Sequence, residues 1–178
     1  MKKILLLLTM VSLPTFASVS ANVSIASDYI WRGMTQTDGI AVSGGFDYAA
    51  DSGFYAGIWG SNVNFNDSTG EGNGAEFDYY FGYGFEMGGI GVDLGYVSFD
   101  YPGNNDGLDF EEIVLGLSMG DLGLTFASGV DGAPDYTEVS YGVGPIGVSY
   151  GQYDDYGDNI AISYGFSCGT YDLSLIHI

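Results

Sequence analysis

Residues 75–87 form the segment that most restricts how this chain can fold. They read Ala-Glu-Phe-Asp-Tyr-Tyr-Phe-Gly-Tyr-Gly-Phe-Glu-Met, and every second residue from Phe77 to Met87 is aromatic or Met. Since successive side chains of an extended chain point to opposite sides, this alternation predicts a β-strand with one apolar and one more polar face. At about 3.3 Å per residue the strand is roughly 43 Å long, and tilted by about 45° it rises roughly 30 Å, the thickness of a bilayer's hydrocarbon core.

The more polar face of this strand favours a membrane protein over a soluble sheet. It carries Glu76, Asp78 and Glu86 together with Gly82 and Gly84, and it has no Lys, Arg, Thr or Gln. Acids and small residues opposite an unbroken apolar stripe are typical of a barrel with lipid outside and a narrow polar lumen inside. A secreted soluble β-protein is the alternative, because a half-buried strand in such a protein also alternates.

Ten further segments are predicted as strands. They cover 22–32, 40–50, 54–65, 90–101, 108–119, 122–129 and 136–143, then the regions around 146–150 and 160–166, and a last segment that begins at Tyr171. Both faces of 54–65 are apolar at its start, so the sequence does not assign its facing. In 90–101 the alternation shifts after Tyr96, which a β-bulge would explain.

The connections between the predicted strands alternate in length. After odd-numbered strands they are roughly five to nine residues long, polar and acidic, and after even-numbered strands they are roughly two or three, as in outer-membrane barrels with a periplasmic N-terminus. The predicted fold is therefore an all-β, antiparallel, up-and-down transmembrane β-barrel. Because bacterial barrels have even strand numbers, about 11 visible strands imply about 12 in an intact parent.

The two ends of the chain carry separate predictions. Lys2, Lys3, the apolar run from Ile4 and the small residues at 19–21 predict a signal peptide over residues 1–21, with cleavage after Ala17 as the alternative. Residues 22–178 then form one domain, exported through the periplasm to the outer membrane of a Gram-negative bacterium. The end from about residue 171 lacks the terminal aromatic residue that is common in such barrels, and we expect it to be truncated or aberrant.

The charge of the chain excludes one class of partner and favours another. Outside the predicted signal peptide Arg32 is the only Lys or Arg, whereas the chain has 23 Asp and Glu residues. Nucleic acid is excluded, because almost nothing could neutralise its phosphates. Inward-facing acids could form a lining that attracts cations, or could simply be solvated in a wet interior. The candidate pore-lining residues are Asp28, Arg32, Asp47, Glu76, Asp78, Glu86, Asp93, Glu112 and Glu138.

Three residue types receive narrower predictions. Arg32, near the outer end of strand 22–32, is expected to pair with carboxylates such as Asp47 or Glu76, or to narrow the pore mouth. Both tryptophans, Trp31 and Trp59, are expected to be anchors at the membrane interface. The only histidine, His177, leaves no Ser-His or Cys-His pair, so the sequence predicts no enzyme activity, no cofactor and no metal site.

Several motifs in the first half of the chain resemble a known family. They are Ser27-Asp28-Tyr29, Trp31-Arg32-Gly33, Gln36-Thr37-Asp38-Gly39, Gly44-Gly45-Phe46-Asp47-Tyr48, the run from Ser52 to Trp59, and Ser61-Asn62-Val63. Over roughly residues 22–100 the chain resembles the TorF-like porin family of proteobacterial outer-membrane proteins. The resemblance implies an outer-membrane barrel. It also implies a transport function, because the family is named as porins.

These observations lead to one functional prediction with two alternatives. The predicted function is passive diffusion of small solutes or cations through an acidic lumen, with outer-membrane lipid, lipopolysaccharide and the barrel-assembly machinery as partners. One alternative is a structural barrel that does not conduct, because Tyr80 and its neighbours fill a narrow bore. The other is a surface adhesin or receptor that uses the acidic loops.

Overall fold

The computed structural model describes residues 18–65, 73–102, 107–168 and 171–177. Within these ranges the chain forms strands and turns, and no helix is present that is long and apolar enough to cross a membrane. The strands are β1 (Ser18–Ala26), β2 (Ile30–Trp31), β3 (Met34–Thr35), β4 (Ala41–Ala49), β5 (Phe54–Asn64), β6 (Asn73–Met87), β7 (Ile90–Asp100), β8 (Phe110–Met119), β9 (Leu122–Gly129), β10 (Tyr136–Val143), β11 (Ile146–Tyr153), β12 (Gly157–Cys168) and β13 (Tyr171–His177).

Eleven of these strands form one antiparallel sheet that follows the order of the chain. The order is β1, then β4 through β13, and β2 pairs with β3 in a separate hairpin. This confirms the predicted all-β, antiparallel meander. The sheet is not closed, since β1 and β13 are its two edges among the described residues, so the structure does not show a barrel.

Short turns join the strands at one end of the sheet. β6 and β7 are joined by Gly88 and Gly89, whose φ angles are 64° and 82°. Positive φ at both positions is the turn geometry that suits the twist of a hairpin, and glycine adopts it without strain. Longer connections at 27–40 and 130–135 lie at the other end. The connection between β11 and β12, expected to be roughly five to nine residues long, is only a short turn at 154–156. The predicted loops around 66–74 and 102–107 fall largely outside the described residues.

The two predicted faces of β6 are present in the structure. The six apolar positions from Phe77 to Met87 are 37–65% exposed, whereas Glu76 and Asp78 on the other side are 1% and 4% exposed. Exposed apolar side chains also alternate along β4, β10, β11 and β12. We call the side with exposed apolar residues the outer face and the opposite side the inner face.

The buried core lies on the inner face. Its members are Val63, Val97, Phe99, Tyr101, Val114, Ala127, Tyr136 and Tyr153, against which Tyr29, Trp31, Met34, Phe65, Tyr80 and Phe110 pack. Three of the packing residues, Tyr29, Trp31 and Met34, come from the segment between β1 and β4. The core is therefore formed between the sheet and the β2–β3 hairpin.

Two predicted features of the strands are wrong. β1 ends at Ala26, well before Arg32, because the chain turns there and folds back as the β2–β3 hairpin. No β-bulge interrupts β7, whose pairing with β6 continues unbroken through all eleven of its residues. The alternation shifts after Tyr96 because the inner face becomes apolar at that point, where Val97 and Phe99 are each 2% exposed in the core.

Pairing also sets the facing of β5, which the sequence left open. Trp59 lies directly opposite Asp78 in the β5–β6 register. Together with Ser61 and Val63, which are also buried, Trp59 therefore belongs to the inner face.

Most of the predicted signal peptide lies outside the described residues. Residues 18–21 begin β1 and pair with 46–49 of β4, so cleavage after Ala17 would leave β1 whole and cleavage after Ala21 would shorten it. At the other end, the segment expected to be aberrant from residue 171 forms β13 and pairs with β12.

Candidate functional site

The β2–β3 hairpin is a two-residue turn built on Arg32 and Gly33. Their φ angles are 49° and 85°, and positive φ at both positions is favoured in such a turn but uncommon for a residue with a side chain. Gly33 is also required by space, because a Cβ there would lie 2.7 Å from Asn159 Cβ on β12. Arg32 therefore has a left-handed backbone conformation that its side-chain contacts must stabilise.

Asp28 accepts the hydrogen bonds that join the two ends of the hairpin segment. Thr35 Oγ1 lies 2.7 Å and Thr37 Oγ1 lies 2.8 Å from Asp28 Oδ1, and the Tyr29 backbone N–H donates to Thr37 Oγ1 over 2.8 Å. Slight burial raises the pKa of Asp28, but the hydrogen bonds from Thr35 and Thr37 outweigh it, so the pKa is lowered overall. The carboxylate therefore stays charged into the acid range and holds the two sides of the hairpin together.

Arg32 reaches along the inner face to Glu112 on β8. Its two terminal nitrogens donate to the two carboxylate oxygens over 2.6 and 2.7 Å, and Glu112 is 0% exposed. The guanidinium carbon lies 4.1 Å from the Trp31 ring centroid and 4.2 Å from that of Tyr136. Arg suits a buried, bidentate pair between aromatic rings better than Lys, because its planar fork matches the carboxylate and stacks on the rings.

The hairpin contacts strands that are far apart in the sheet. Gln36 O accepts a hydrogen bond of 2.7 Å from the backbone N–H of Asn64 on β5, and the Trp31 ring packs edge-on against Tyr153 on β11 with centroids 5.6 Å apart. At about 4.8 Å per strand spacing, a flat sheet would place β5 and β11 roughly 29 Å apart. The sheet therefore curls around the hairpin, which lies across its inner face.

Tyr29 connects the hairpin to Glu76 on β6. Its hydroxyl donates to Glu76 Oε1 over 2.7 Å, and its ring packs edge-on against Trp59 with centroids 5.4 Å apart. Burial, followed by the negative charge of Glu76, raises the pKa of Tyr29 far above its usual value. The hydroxyl therefore remains a proton donor to Glu76 over the whole physiological pH range.

Tyrosines on the inner face lie across glycines to reach carboxylates. Tyr55 on β5 pairs with Gly82 on β6, where a Cβ would collide with the Tyr55 ring. The ring passes over this glycine, and the hydroxyl donates to Asp93 on β7 over 2.7 Å. Tyr80 on β6 likewise passes over Gly57 on β5 and donates to Asp47 on β4.

The candidate pore-lining residues fall into three groups. Asp28 and Arg32 lie in the segment that carries the hairpin. Among the strand residues, Glu86 is exposed near the β6–β7 turn and Asp78 is buried. The remaining five accept a hydrogen bond from an inner-face or hairpin side chain; they are Asp47, Glu76, Asp93, Glu112 and Glu138. That these residues line a pore stays a prediction.

Arg32 pairs with a carboxylate, as predicted, but its partner is neither Asp47 nor Glu76. Arg32 was expected on a strand, where Asp47 or Glu76 could reach it, but the hairpin carries it to Glu112 on β8. One local signal does favour a turn here, since Gly follows Arg32 and a two-residue hairpin loop prefers Gly. Nothing local identifies Glu112 as the partner, because it lies 80 residues away in the chain.

The predicted location of both tryptophans is also wrong. Trp31 packs against Phe99 with ring centroids 5.6 Å apart, and Trp59 is 8% exposed and faces Asp78. Both therefore lie on the inner face and not on the outer face, where membrane-interface anchors would have to lie.

The fold and its inner face define a class of protein: an all-antiparallel β-protein with an apolar outer face and an acidic inner face covered by a hairpin. The chain belongs to the Gcw_chp family, described as a bacterial protein of unknown function, whose model matches residues 14–154. The match includes the hairpin and all strands from β1 to β11. It does not show the TorF-like porin family that the motifs resemble. No curated protein and no solved structure matches the chain significantly.

Proposed function

We propose that this chain is an outer-membrane β-barrel that passes small solutes or cations by passive diffusion through an acidic interior. One observation carries the proposal: aromatic and aliphatic side chains are exposed along the outer face, while Glu76, Asp78 and Glu112 on two of the same strands are buried on the inner face. On β6, Phe81 is 52% exposed and Asp78 only 4%.

The outer face fits contact with lipid. Soluble monomers rarely expose apolar patches larger than a few hundred Å², and a patch that extends over many strands marks a membrane or protein interface. Transmembrane barrels have this same alternation of apolar outward and polar inward residues. Lipid and lipopolysaccharide are therefore the proposed contacts of the outer face, with the barrel-assembly machinery as the partner that inserts the chain.

The inner face fits passage of small, preferentially cationic solutes. Its acids outnumber its single arginine, and carboxylates around a low-dielectric passage raise the local concentration of cations. The hairpin lies across this interior and restricts the bore, so size and charge would select together. The resemblance to the TorF-like porin family, in motifs that include Trp31-Arg32-Gly33, supports this reading. Closure into a barrel is part of the proposal.

A second candidate function is a structural barrel that does not conduct. The observation that favours it is the hairpin, which fills the interior between β5 and β11 with aromatic rings around Trp31. In this case the acids bind Arg32 and the inner-face tyrosines, and no solute passes through the interior of the barrel.

Single-channel recording distinguishes the two candidates. The refolded chain is placed in a planar bilayer under a KCl gradient, and porin activity predicts discrete steps with a cation-selective reversal potential. The double variant Glu76→Gln/Asp78→Asn should shift that potential toward zero. The control Asp154→Asn/Asp155→Asn removes the same number of charges from an exposed turn and should leave it unchanged. A folded, heat-modifiable chain that never conducts would contradict porin activity and favour the structural barrel.

A further inference from the structure

A cavity of about 240 Å³ lies between the tip of the β2–β3 hairpin and β12. Arg32, Gly33 and Met34 line it from the hairpin, and residues 156–160 line it from the turn before β12 and from the first residues of that strand. The cavity is at the end of the sheet that carries the longer connections. In the proposed barrel, a solute arriving from the loop side would therefore meet this cavity first.

Asn159 separates the cavity from the rest of the inner face. It lies so close to the hairpin tip that a Cβ on Gly33 would be 2.7 Å from the Asn159 Cβ. Its amide oxygen lies 3.4 Å from the Tyr136 hydroxyl, and these two groups fill the space over Gly151, the residue opposite Asn159 on β11. Asn159 is only 9% exposed. The hairpin tip, Tyr136 and Asn159 thus meet at one level and close the cavity toward the interior.

Small residues line the inner face of β10, β11 and β12 between Asn159 and the short turns. We call this region the serine wall; it consists of Ser140, Gly142, Gly147, Ser149, Ala161, Ser163 and Gly165. Its three serines are partly exposed, so their hydroxyls can be hydrated. On β5 and β6, by contrast, the rings of Tyr55 and Tyr80 lie across the inner face in the same half of the sheet. The free space of the interior is therefore along the serine wall, next to Asn159.

We propose that Asn159 sets the size limit of the passage, at a constriction between the hairpin tip and β12. Small hydrophilic solutes enter the cavity, pass Asn159 and continue along the serine wall. Amide and hydroxyl groups both donate and accept hydrogen bonds, so they replace part of a solute's water without selecting its charge. The cation preference then comes from the acids elsewhere on the inner face. This inference deepens the proposed function and rests on it for the existence of a passage.

Single-channel recording of Asn159→Ala tests the constriction. Loss of the amide widens the contact with Gly33 and Tyr136, so the conductance in KCl should rise above that of the wild type. The reversal potential in a KCl gradient should not change, because no charge is removed. Gln152→Ala is the matched control, since it removes an amide from the exposed outer side of the neighbouring strand β11 and should leave the conductance unchanged.

The outcomes separate this inference from the proposed function. A wild type that conducts and an Asn159→Ala variant with the same conductance would overturn the constriction and leave the porin intact. Conductance that appears only in Asn159→Ala would support the constriction and contradict passive diffusion through the wild type. If neither chain conducts, both proposals are wrong.

Thiol modification at Ser149 tests the route without altering Asn159, and it applies even if Asn159→Ala does not fold. Ser149→Cys and Val148→Cys are each made together with Cys168→Ser, so that each variant has a single thiol. A water-soluble methanethiosulfonate should react with Ser149→Cys and abolish most of its conductance, because the attached group lies in the route. Val148 is 46% exposed on the outer face, so the same treatment should leave Val148→Cys unchanged. Full conductance of Ser149→Cys after modification verified by mass spectrometry would overturn the route.

Discussion

The pairing of Arg32 with Glu112 is the contact on which the hairpin most depends. Both side chains are almost fully buried, at 10% and 1% exposure, and removal of one partner from a buried pair leaves an uncompensated charge. We predict that Arg32→Met or Glu112→Leu alone lowers the free energy of unfolding by about 3–5 kcal/mol. The double variant should cost less than either one, since no charge is left unpaired. Urea unfolding of the detergent-folded chain measures all three, and single-variant losses below about 1 kcal/mol would contradict this role.

A glycine on the inner face offers a second test at the level of single residues. A Cβ at Gly82 would collide with the Tyr55 ring and approach Leu94 O at 2.7 Å, whereas a Cβ at Gly165 would meet nothing within 4 Å. We predict that Gly82→Ala destabilises the fold by about 1–3 kcal/mol through overpacking, and that Gly165→Ala is neutral or slightly stabilising. Equal effects of the two substitutions in the same unfolding assay would refute the claim that Tyr55 needs this glycine.

Among the elements, the strands could be predicted from sequence and the hairpin could not. β6 follows a purely local rule, the alternation from Phe77 to Met87, and its predicted start differs from the observed one by two residues. Val97 and Phe99 on β7 do not follow this alternation. They are apolar inner-face residues buried under the hairpin, and sequence alone does not distinguish them from apolar residues of the outer face. The contact between Arg32 and Glu112 depends on how the whole sheet curls, and no short sequence pattern predicts that curvature.

The hairpin can be tested as an element. Replacing residues 30–36 with a short Gly-Ser linker, combined with Glu112→Leu so that no buried charge is left unpaired, removes Trp31 and Arg32 and retains every strand of the large sheet. If the hairpin restricts the bore, single-channel conductance in planar bilayers should rise above that of the wild type. The control replaces the exposed turn 154–156 and should not change conductance. An unchanged conductance after removal of the hairpin would show that it does not obstruct the passage.

For the whole molecule, the environment of the outer face is the main question. Phe81 lies in the middle of β6 and Val143 at the end of β10, and both are more than half exposed, at 52% and 60%. In a bilayer, Lys costs about 2–4 kcal/mol at the midplane and about 0–1 near the interface. We therefore predict that Phe81→Lys lowers the free energy of unfolding of the vesicle-folded chain by about 2–4 kcal/mol and Val143→Lys by about 0–1 kcal/mol. If the outer face were in water, both substitutions would be harmless.

Quenching of tryptophan fluorescence by lipids with brominated acyl chains tests most directly whether the outer face lies in lipid and the inner face does not. The chain has two tryptophans, Trp31 and Trp59, and both belong to the inner face. We predict weak quenching of the wild type, strong quenching of the added emission in Phe81→Trp, and no quenching of the added emission in Asp154→Trp, whose site is an exposed turn. A Phe81→Trp variant that brominated lipid does not quench, or native tryptophans quenched as strongly, would contradict the assignment of the two faces.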